Sequence, residues 1–336
     1  MAKRKTTLLI TGGAGFIGSQ FIKYLLHAYQ EYHIINFDKL TYCGNLENLQ
    51  EVKDIPRYTF IQGDICDAKA IENIARQKPD VIINFAAESH VDRSISDPTA
   101  FLKTNLWGVY TLLEAVKKHH IKKFIQISTE EVYGSTISGS FKEGEALLPS
   151  SPYSTSKASG DLLCLSYIKT YQLPVIITRS SNNFGPFQYP EKIIPLFITN
   201  LLENKKVPLY GSGQNTRDWL HVMDNCRAID LVLHKGKEGQ IYNIGGINEK
   251  TNLQLTKIIL NILGKSSEYI QHVKDRPGHD KRYSLNCEKI KKLGWRPQLN
   301  NFEKALRDTV LWYQNNELWW KKIKSGKYLE YYKKTI

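Results

Sequence analysis

The chain has 336 residues, 41% of them hydrophobic, and a formal net charge of +13. That length exceeds one ordinary domain and supplies apolar surface for a sizeable core, so one large or two interleaved domains are expected. No apolar run reaches the roughly 18 residues of a membrane helix, and five scattered cysteines argue against a disulfide framework or a metal site.

The positive charge is spread along the chain and thickens at Lys321, Lys322, Lys324 and Lys327. Without a nucleic-acid module motif it implies a solvated surface that favours anionic substrates, with no nucleic-acid or membrane partner. The opening Met-Ala-Lys-Arg-Lys precedes a short apolar run, which Gly12, Gly13 and Gly15 break at once. That is no signal peptide, and a cytoplasmic protein is expected.

Residues 8–10 read as a strand running into Thr-Gly-Gly-Ala-Gly-Phe-Ile-Gly (11–18), followed by a helical pattern to residue 26. Gly13, Gly15 and Gly18 fit the dinucleotide fingerprint. Glycines close the turn and bring backbone N–H groups to a pyrophosphate at the helix N-terminus. A second strand, 33–37, ends at Asp38, 20 residues past Gly18. An acid there accepts hydrogen bonds from the adenosine ribose and disfavours an added phosphate, which points to NAD over NADP; Lys39 works against this.

The alternation continues with strands at 58–62, 81–84, 124–128 and 175–178, and helices at 68–77, 98–118 and 154–171. Such a pattern is α/β: a Rossmann-type doubly wound parallel sheet whose ligands sit at the C-terminal strand ends. Asp38, Asp64, the run Ala86-Ala87-Glu88-Ser89 and Thr129 to Glu131 fall there. After Arg179 come turn-rich and polar loops at 180–186, 211–219 and 275–280, with helices between them and a strand at 241–244 that rejoins the sheet. The expected division is an NAD-binding part, 1–181 and about 218–248, and a smaller, mainly helical substrate part, about 182–217 and 249–336.

Two runs carry chemistry. Tyr153 and Lys157 stand four apart at the start of a helix and share a face. A phenol is a poor base at neutral pH, and a neighbouring ammonium favours phenolate. Glu130 and Glu131, at a strand end, add a second acid/base pair. Together the sets suit alcohol oxidation and proton transfer at a neighbouring carbon.

The fingerprint, the Tyr153/Lys157 pair and the length resemble extended short-chain dehydrogenases/reductases acting on nucleotide sugars. DKLTYCGN (38–45), FAAESHVDRSI (85–95), STEEVYG (128–134), SPYSTSK (151–157), SNNFGPFQYPEKIIP (181–195), RDWLHV (217–222), YNIGGINEKTN (242–252) and DRPGHDKRY (275–283) are more narrowly similar to the dTDP-glucose 4,6-dehydratase family, in order, over residues 8–312.

The resemblance implies that Gly12, Gly15, Phe16, Ile17, Gly18, Asp38, Lys39, Leu40, Thr41, Asp64, Ile65, Ala86, Ala87, Glu88, Ser89, Thr104, Tyr153, Lys157 and Asn183 line NAD. It implies a nucleotide-sugar site of Ser89, Thr129, Asn182, Lys192, Ile193, Pro208, Leu209, Tyr210, Arg217, Asn252, Asp275, Arg276, Pro277, Gly278 and His279. Arg217 and Arg276 suit a diphosphate by paired hydrogen bonds.

In the implied reaction Tyr153 takes the C4 hydroxyl proton as NAD takes the hydride, with Thr129 near the oxygen and Lys157 on the nicotinamide ribose. Glu131 removes the C5 proton, Glu130 protonates the leaving C6 hydroxyl, and the hydride returns to C6. An epimerase of this fold needs Tyr and Lys alone. A UDP-glucose or UDP-N-acetylhexosamine dehydratase, and a non-catalytic NAD-binding regulator, are the alternatives. The family usually has Asp where Glu130 stands and a small residue where Cys43 stands. It also implies a homodimer through a four-helix bundle of helices 98–118 and 154–171, with Leu102, Leu106, Tyr110, Leu163, Tyr167 and Ile168 at the interface.

Overall fold

In the computed structural model the described residues are 6–326; the basic run 1–5 and Lys327 lie outside them. The apolar runs form β1 (Thr6–Thr11), β2 (Tyr32–Asp38), β3 (Tyr58–Gln62), β4 (Val81–Asn84), β5 (Lys123–Thr129) and β6 (Val175–Ser180). A seventh strand, which closes the edge, is Ile241–Ile244, and all seven pair in parallel in the order 3-2-1-4-5-6 and then Ile241–Ile244. The connecting helices are α1 (Phe16–Ala28), α2 (Ala68–Ala75), α3 (Val91–Ser96), α4 (Thr99–Leu102), α5 (Gly108–His119) and α6 (Pro152–Tyr171).

The period of two sorts each strand between faces. Leu8 and Ile10 enter one apolar cluster, with Phe21 and Leu25 of α1, while Leu9 enters another, with Leu112 and Leu113 of α5. A third cluster holds Phe184, Phe197, Trp219, Leu306, Tyr313 and Trp320. The later elements are β7 (Asn182–Phe184), α7 (Ile193–Leu202), β8 (Val207–Tyr210), β9 (Thr216–His221), α8 (Val222–Lys235), β10 (the edge strand Ile241–Ile244), β11 (Glu249–Thr251), α9 (Asn252–Ile262), β12 (Ile270–Val273), α10 (Glu288–Lys292), α11 (Phe302–Asn315) and α12 (Glu317–Lys324). The third cluster draws on β7, α7, β8, β9, α9, α11 and α12, whereas α8, β10 and α10 join the first. Two small sheets, β11-β9-β7 and β12-β8, lie beside the large one. The polar run 211–219 thus ends in a strand, because β9 finds partners on both sides, a non-local pairing that local composition does not reveal.

The helix expected over 98–118 is interrupted. Between α4 and α5, Lys103–Trp107 forms a π turn. It turns Asn105 inward, where Oδ1 accepts from Glu88 N (3.0 Å) and Nδ2 donates to Glu88 O (3.0 Å) and Ser156 Oγ (2.9 Å). The helix gives up its regular ladder to fasten the β4 loop to α6. A Cβ on Gly160 of α6 would lie 2.6 Å from Asn105 O, so only glycine lets the two helices approach this closely.

The outward face also differs from the expected one. Tyr167 is buried and donates to Glu114, and Tyr110, Leu163 and Ile168 pack on the sheet. The exposed apolar residues are Leu102, Trp107, Leu162 and Tyr171. The register of the α5 and α6 faces is set by contact with the sheet, which spacing alone leaves ambiguous.

Beneath the C-terminal end of β5, Arg179 of β6 donates from Nε to Asp161 of α6 (2.8 Å) and from Nη1 to the Tyr133 hydroxyl (2.7 Å). Both charges are inaccessible, at 1% and 0% side-chain exposure. Breaking such a pair leaves a buried charge uncompensated. Arg179→Met is expected to cost about 3–5 kcal/mol in urea unfolding; a loss below about 1 kcal/mol would put the pair in the class of solvated surface bridges.

Candidate active site

The strand order reverses direction between β1 and β4, and the crevice of such a sheet opens at that point. A cleft open to solvent lies there, and its lining runs from the glycine turn after β1 to residues far along the chain, among them Tyr210, Arg217, Asn252 and Arg276.

On the β1 side the wall is Gly12, Gly15, Phe16, Ile17 and Gly18. Gly12 has φ +70°, and a Cβ there would lie 2.4 Å from Ala86 N, so this turn seats directly on the β4 loop. The N-cap of α1 is Gly15, which has no side chain to satisfy the first helical N–H groups. An anion fits that end.

Asp38 is only 8% exposed, and its carboxylate accepts from Ala14 N (2.9 Å) and Leu40 N (2.8 Å). It therefore ties the glycine turn to the end of β2. Lys39 pairs with Asp64 at 2.8 Å, which turns its charge toward a carboxylate. Ala87, Ser89 and Asn183 line the cleft, whereas Asp38, Lys39, Leu40, Thr41, Asp64, Ile65, Ala86, Glu88 and Thr104 are not among its lining residues.

At the centre, Thr129 ends β5, and its hydroxyl accepts from Glu131 N (3.3 Å), capping the single 3-10 turn Glu130–Tyr133. Ser151 caps α6 in a reciprocal box with Ser154, and Pro152 occupies its first position. This start fixes Tyr153 and Lys157 on the inner face. Thr129, Glu131, Tyr153 and Lys157 all line the cleft. Lys157 Nζ donates to Ile127 O at 2.7 Å. Burial pushes its pKa down to about 8, opposed by Asp161 one turn along.

Burial pushes the Tyr153 phenol up, Glu131 adds to this, and a hydrogen bond with Thr129 opposes it. Burial is the largest influence on this phenol.

On the far side the cleft is lined by Asn182, Lys192, Ile193, Pro208, Leu209, Tyr210, Arg217, Asn252, Arg276 and His279. Lys192 donates to Ser89 O, bridging two loops. Arg217 donates from Nη2 to Asp280 O (3.0 Å) and stacks on Tyr283, its guanidinium 4.5 Å from the ring centre. Asp275 holds His279 Nδ1 at 2.6 Å and so shapes the 275–279 loop, in which Pro277 and Gly278 stand behind the wall.

Several residues of the wall were not singled out from the sequence. His90, Asp92, Gln188 and Glu191 line it, and Asn105 supports it. An asparagine inside an apolar helix was the one available signal for Asn105.

Residues 9–309 match the family model described as GDP-mannose 4,6 dehydratase. A dTDP-glucose 4,6-dehydratase of Streptomyces niveus is 47% identical, covering 95% of this chain and 96% of that protein. The chain belongs to the dTDP-glucose 4,6-dehydratase family. The crystal structure of the Bacillus anthracis dTDP-glucose 4,6-dehydratase, solved in complex with NAD, is 53% identical with a TM-score of 0.89 over 95% of this chain and 100% of that one. The Streptomyces venezuelae dTDP-glucose 4,6-dehydratase, also solved with NAD bound, gives 49% and 0.92 over 95% and 100%.

Within this family frame, the unusual Glu130 is only 1% exposed, and neither carboxyl oxygen has a hydrogen-bond partner among the described residues. Burial pushes it well above the usual carboxylate range, Asp218 adds repulsion, and Arg217 opposes both. Glu131 is raised too, by burial, but Arg276, Arg217 and Lys192 hold it back. The environments separate two chemically identical groups: repulsion from Asp218 reinforces burial at Glu130, whereas three cations oppose burial at Glu131.

A carboxyl raised on folding favours the folded state most when protonated, and that contribution fades as pH climbs above the unfolded value near 4.5. Glu130→Gln should therefore gain stability relative to the unsubstituted chain as pH rises, by up to about 1.4 kcal/mol per pH unit until Glu130 itself ionises. Urea midpoints at about pH 6 and about pH 8 read this out; parallel midpoints would mean a solvated, ionised Glu130.

Proposed function

We propose that this protein is a hydro-lyase that converts dTDP-glucose to dTDP-4-keto-6-deoxy-glucose and water with tightly held NAD. The observation that carries the reading is the carboxyl pair beside Tyr153: Glu131 lines the cleft, and Glu130 is buried next to it with neither oxygen hydrogen-bonded among the described residues. Tyrosine and lysine alone would suffice for epimerisation; a dehydration also needs an acid for the leaving oxygen.

The residues fit NAD. Gly12 and Gly18 leave no room for a Cβ, the first turn of α1 is uncapped, and a buried polar atom at the cleft, Asn183 Oδ1, lacks a hydrogen-bond partner among the described residues. When bound, NAD supplies transient oxidation at C4, reversed by reduction at C6, and a positive charge beside the phenol. Tyr153 accepts the C4 hydroxyl proton, and Thr129 steadies that oxygen. Lys157 holds the nicotinamide ribose and adds its charge to the phenol's surroundings. Glu131 takes the C5 proton, which the new C4 ketone acidifies. Glu130 protonates the C6 oxygen as it leaves. Arg217, Arg276 and Lys192 bind the diphosphate, and Asn182, Asn252 and the 275–279 loop complete the nucleotide-sugar site.

We propose a division into an NAD-binding part, 1–181 and about 218–248, and a substrate part made of the rest; the separate apolar cluster around Phe197 and Leu306 supports it. Cytoplasmic action agrees with five unpaired cysteines, and no described helix is long and apolar enough to cross a membrane.

Incubation with dTDP-glucose in deuterated water, followed by mass spectrometry, tests the reaction. The wild type should give a product lighter by one water with solvent deuterium at C5. Glu130→Gln should return unreacted substrate carrying deuterium at C5, and Glu131→Gln should show neither exchange nor water loss. Dehydration by Glu130→Gln at the wild-type rate would place the acid elsewhere.

The chain should also be a homodimer. Leu102, Trp107, Leu162 and Tyr171 are exposed apolar residues on α4 to α6 that the described residues do not cover. Exposed apolar patches mark interfaces. Light scattering at micromolar concentration should give twice the 38.6 kDa chain mass, and a monomer mass would refute the pairing.

A further inference from the structure

Asp92 sits in the first turn of α3, just past the β4 loop, and each of its oxygens crosses the cleft. Tyr210, at the end of β8, donates its hydroxyl to Oδ2 at 3.0 Å. Arg276, in the loop after β12, donates from Nη1 to Oδ1 at 3.3 Å. All three residues line the cleft. Asp92 and Arg276 each retain 20% side-chain exposure, so the pair is shielded but reachable from the cleft.

Arg276 has five N–H donors in a rigid fork. One is aimed at Asp92, and the buried Nε has no partner among the described residues. A guanidinium held by a carboxylate on one edge presents its other edge in a fixed plane. The Tyr210 ring is fixed in the same way: its hydroxyl is tied to Asp92 and its ring meets His279 edge-on at 6.2 Å. The same short helix grips the opposite loop, where Arg93 Nη2 lies 3.3 Å from the buried Glu191 carboxylate. A purely structural ion pair would not need to sit inside a ligand cleft or to leave its arginine unsaturated.

We propose that Asp92, itself steadied by the Tyr210 hydroxyl, is a positioning residue for the nucleotide sugar, acting through Arg276. It holds the guanidinium across the cleft so that the remaining donors meet the ligand's diphosphate without a search through side-chain rotamers. The inference rests on the reading of Arg276 as a diphosphate contact.

The test is steady-state kinetics of the NAD-loaded full chain with dTDP-glucose. Asp92→Asn keeps the shape and removes the charge. It should raise KM about tenfold, as expected when a coupled contact is lost, with kcat falling far less. Arg276→Gln should also raise KM, and the double variant should be no worse than Arg276→Gln alone, because Asp92 acts through that residue. Asp92→Glu, which keeps the charge, should recover most of the loss. If Asp92→Asn does not fold, Tyr210→Phe removes one of the two bonds and should raise KM severalfold in the wild-type background but not with Arg276→Gln.

An unchanged KM for Asp92→Asn beside a raised KM for Arg276→Gln overturns the positioning role while sparing the diphosphate contact. Multiplying effects in the double variant overturn it as well. An unchanged KM for Arg276→Gln removes the contact itself, and the inference with it.

Discussion

Exclusion of water at the C-terminal end of β5 is the constraint on which the site depends. Four ionisable side chains, Glu130, Glu131, Tyr153 and Lys157, meet there, and burial opposes charge on every one. Desolvation raises acids and lowers bases. It therefore brings carboxyls, phenol and ammonium toward their neutral forms, and the arrangement of remaining charges decides which departs from neutrality. Arg217, Arg276 and Lys192 face Glu131, whereas Glu130 meets Asp218 behind it. Two adjacent, identical residues thus differ in how strongly their surroundings oppose charge.

That dry corner is held by polar contacts that tolerate little movement. The Asp161–Arg179 pair locks α6 to β6, and Tyr133 links it through Asn243 to β10. The π turn before α5 spends helix regularity to place Asn105 on the β4 loop and α6. Strain and buried polarity of this kind lower stability unless every partner is in place. They concentrate here because reacting atoms need fixed neighbours. The opposite wall is built differently, from loops tied to α3 through Asp92, Arg93 and Glu191.

The sequence by itself determined the alternating α/β pattern, the glycine turn, Tyr153 with Lys157 and the adjacent glutamates, because these signals are local. Strand and helix periods, a turn that only glycine can make and a four-residue helical spacing can be read in a single window. The family resemblance extended this to the substrate loops, whose spacing has no local physical signature. Only the tertiary structure decided what depends on approach between distant segments. It set the face of α5 and α6 left uncovered, the strand hidden in 216–221, the inward turn of Asn105 and the hold of Asp38 on the glycine turn. It also decided how strongly burial opposes charge at Tyr153 and Glu130, since the surrounding residues come from far along the chain and a sequence window contains no measure of how much water a side chain has lost.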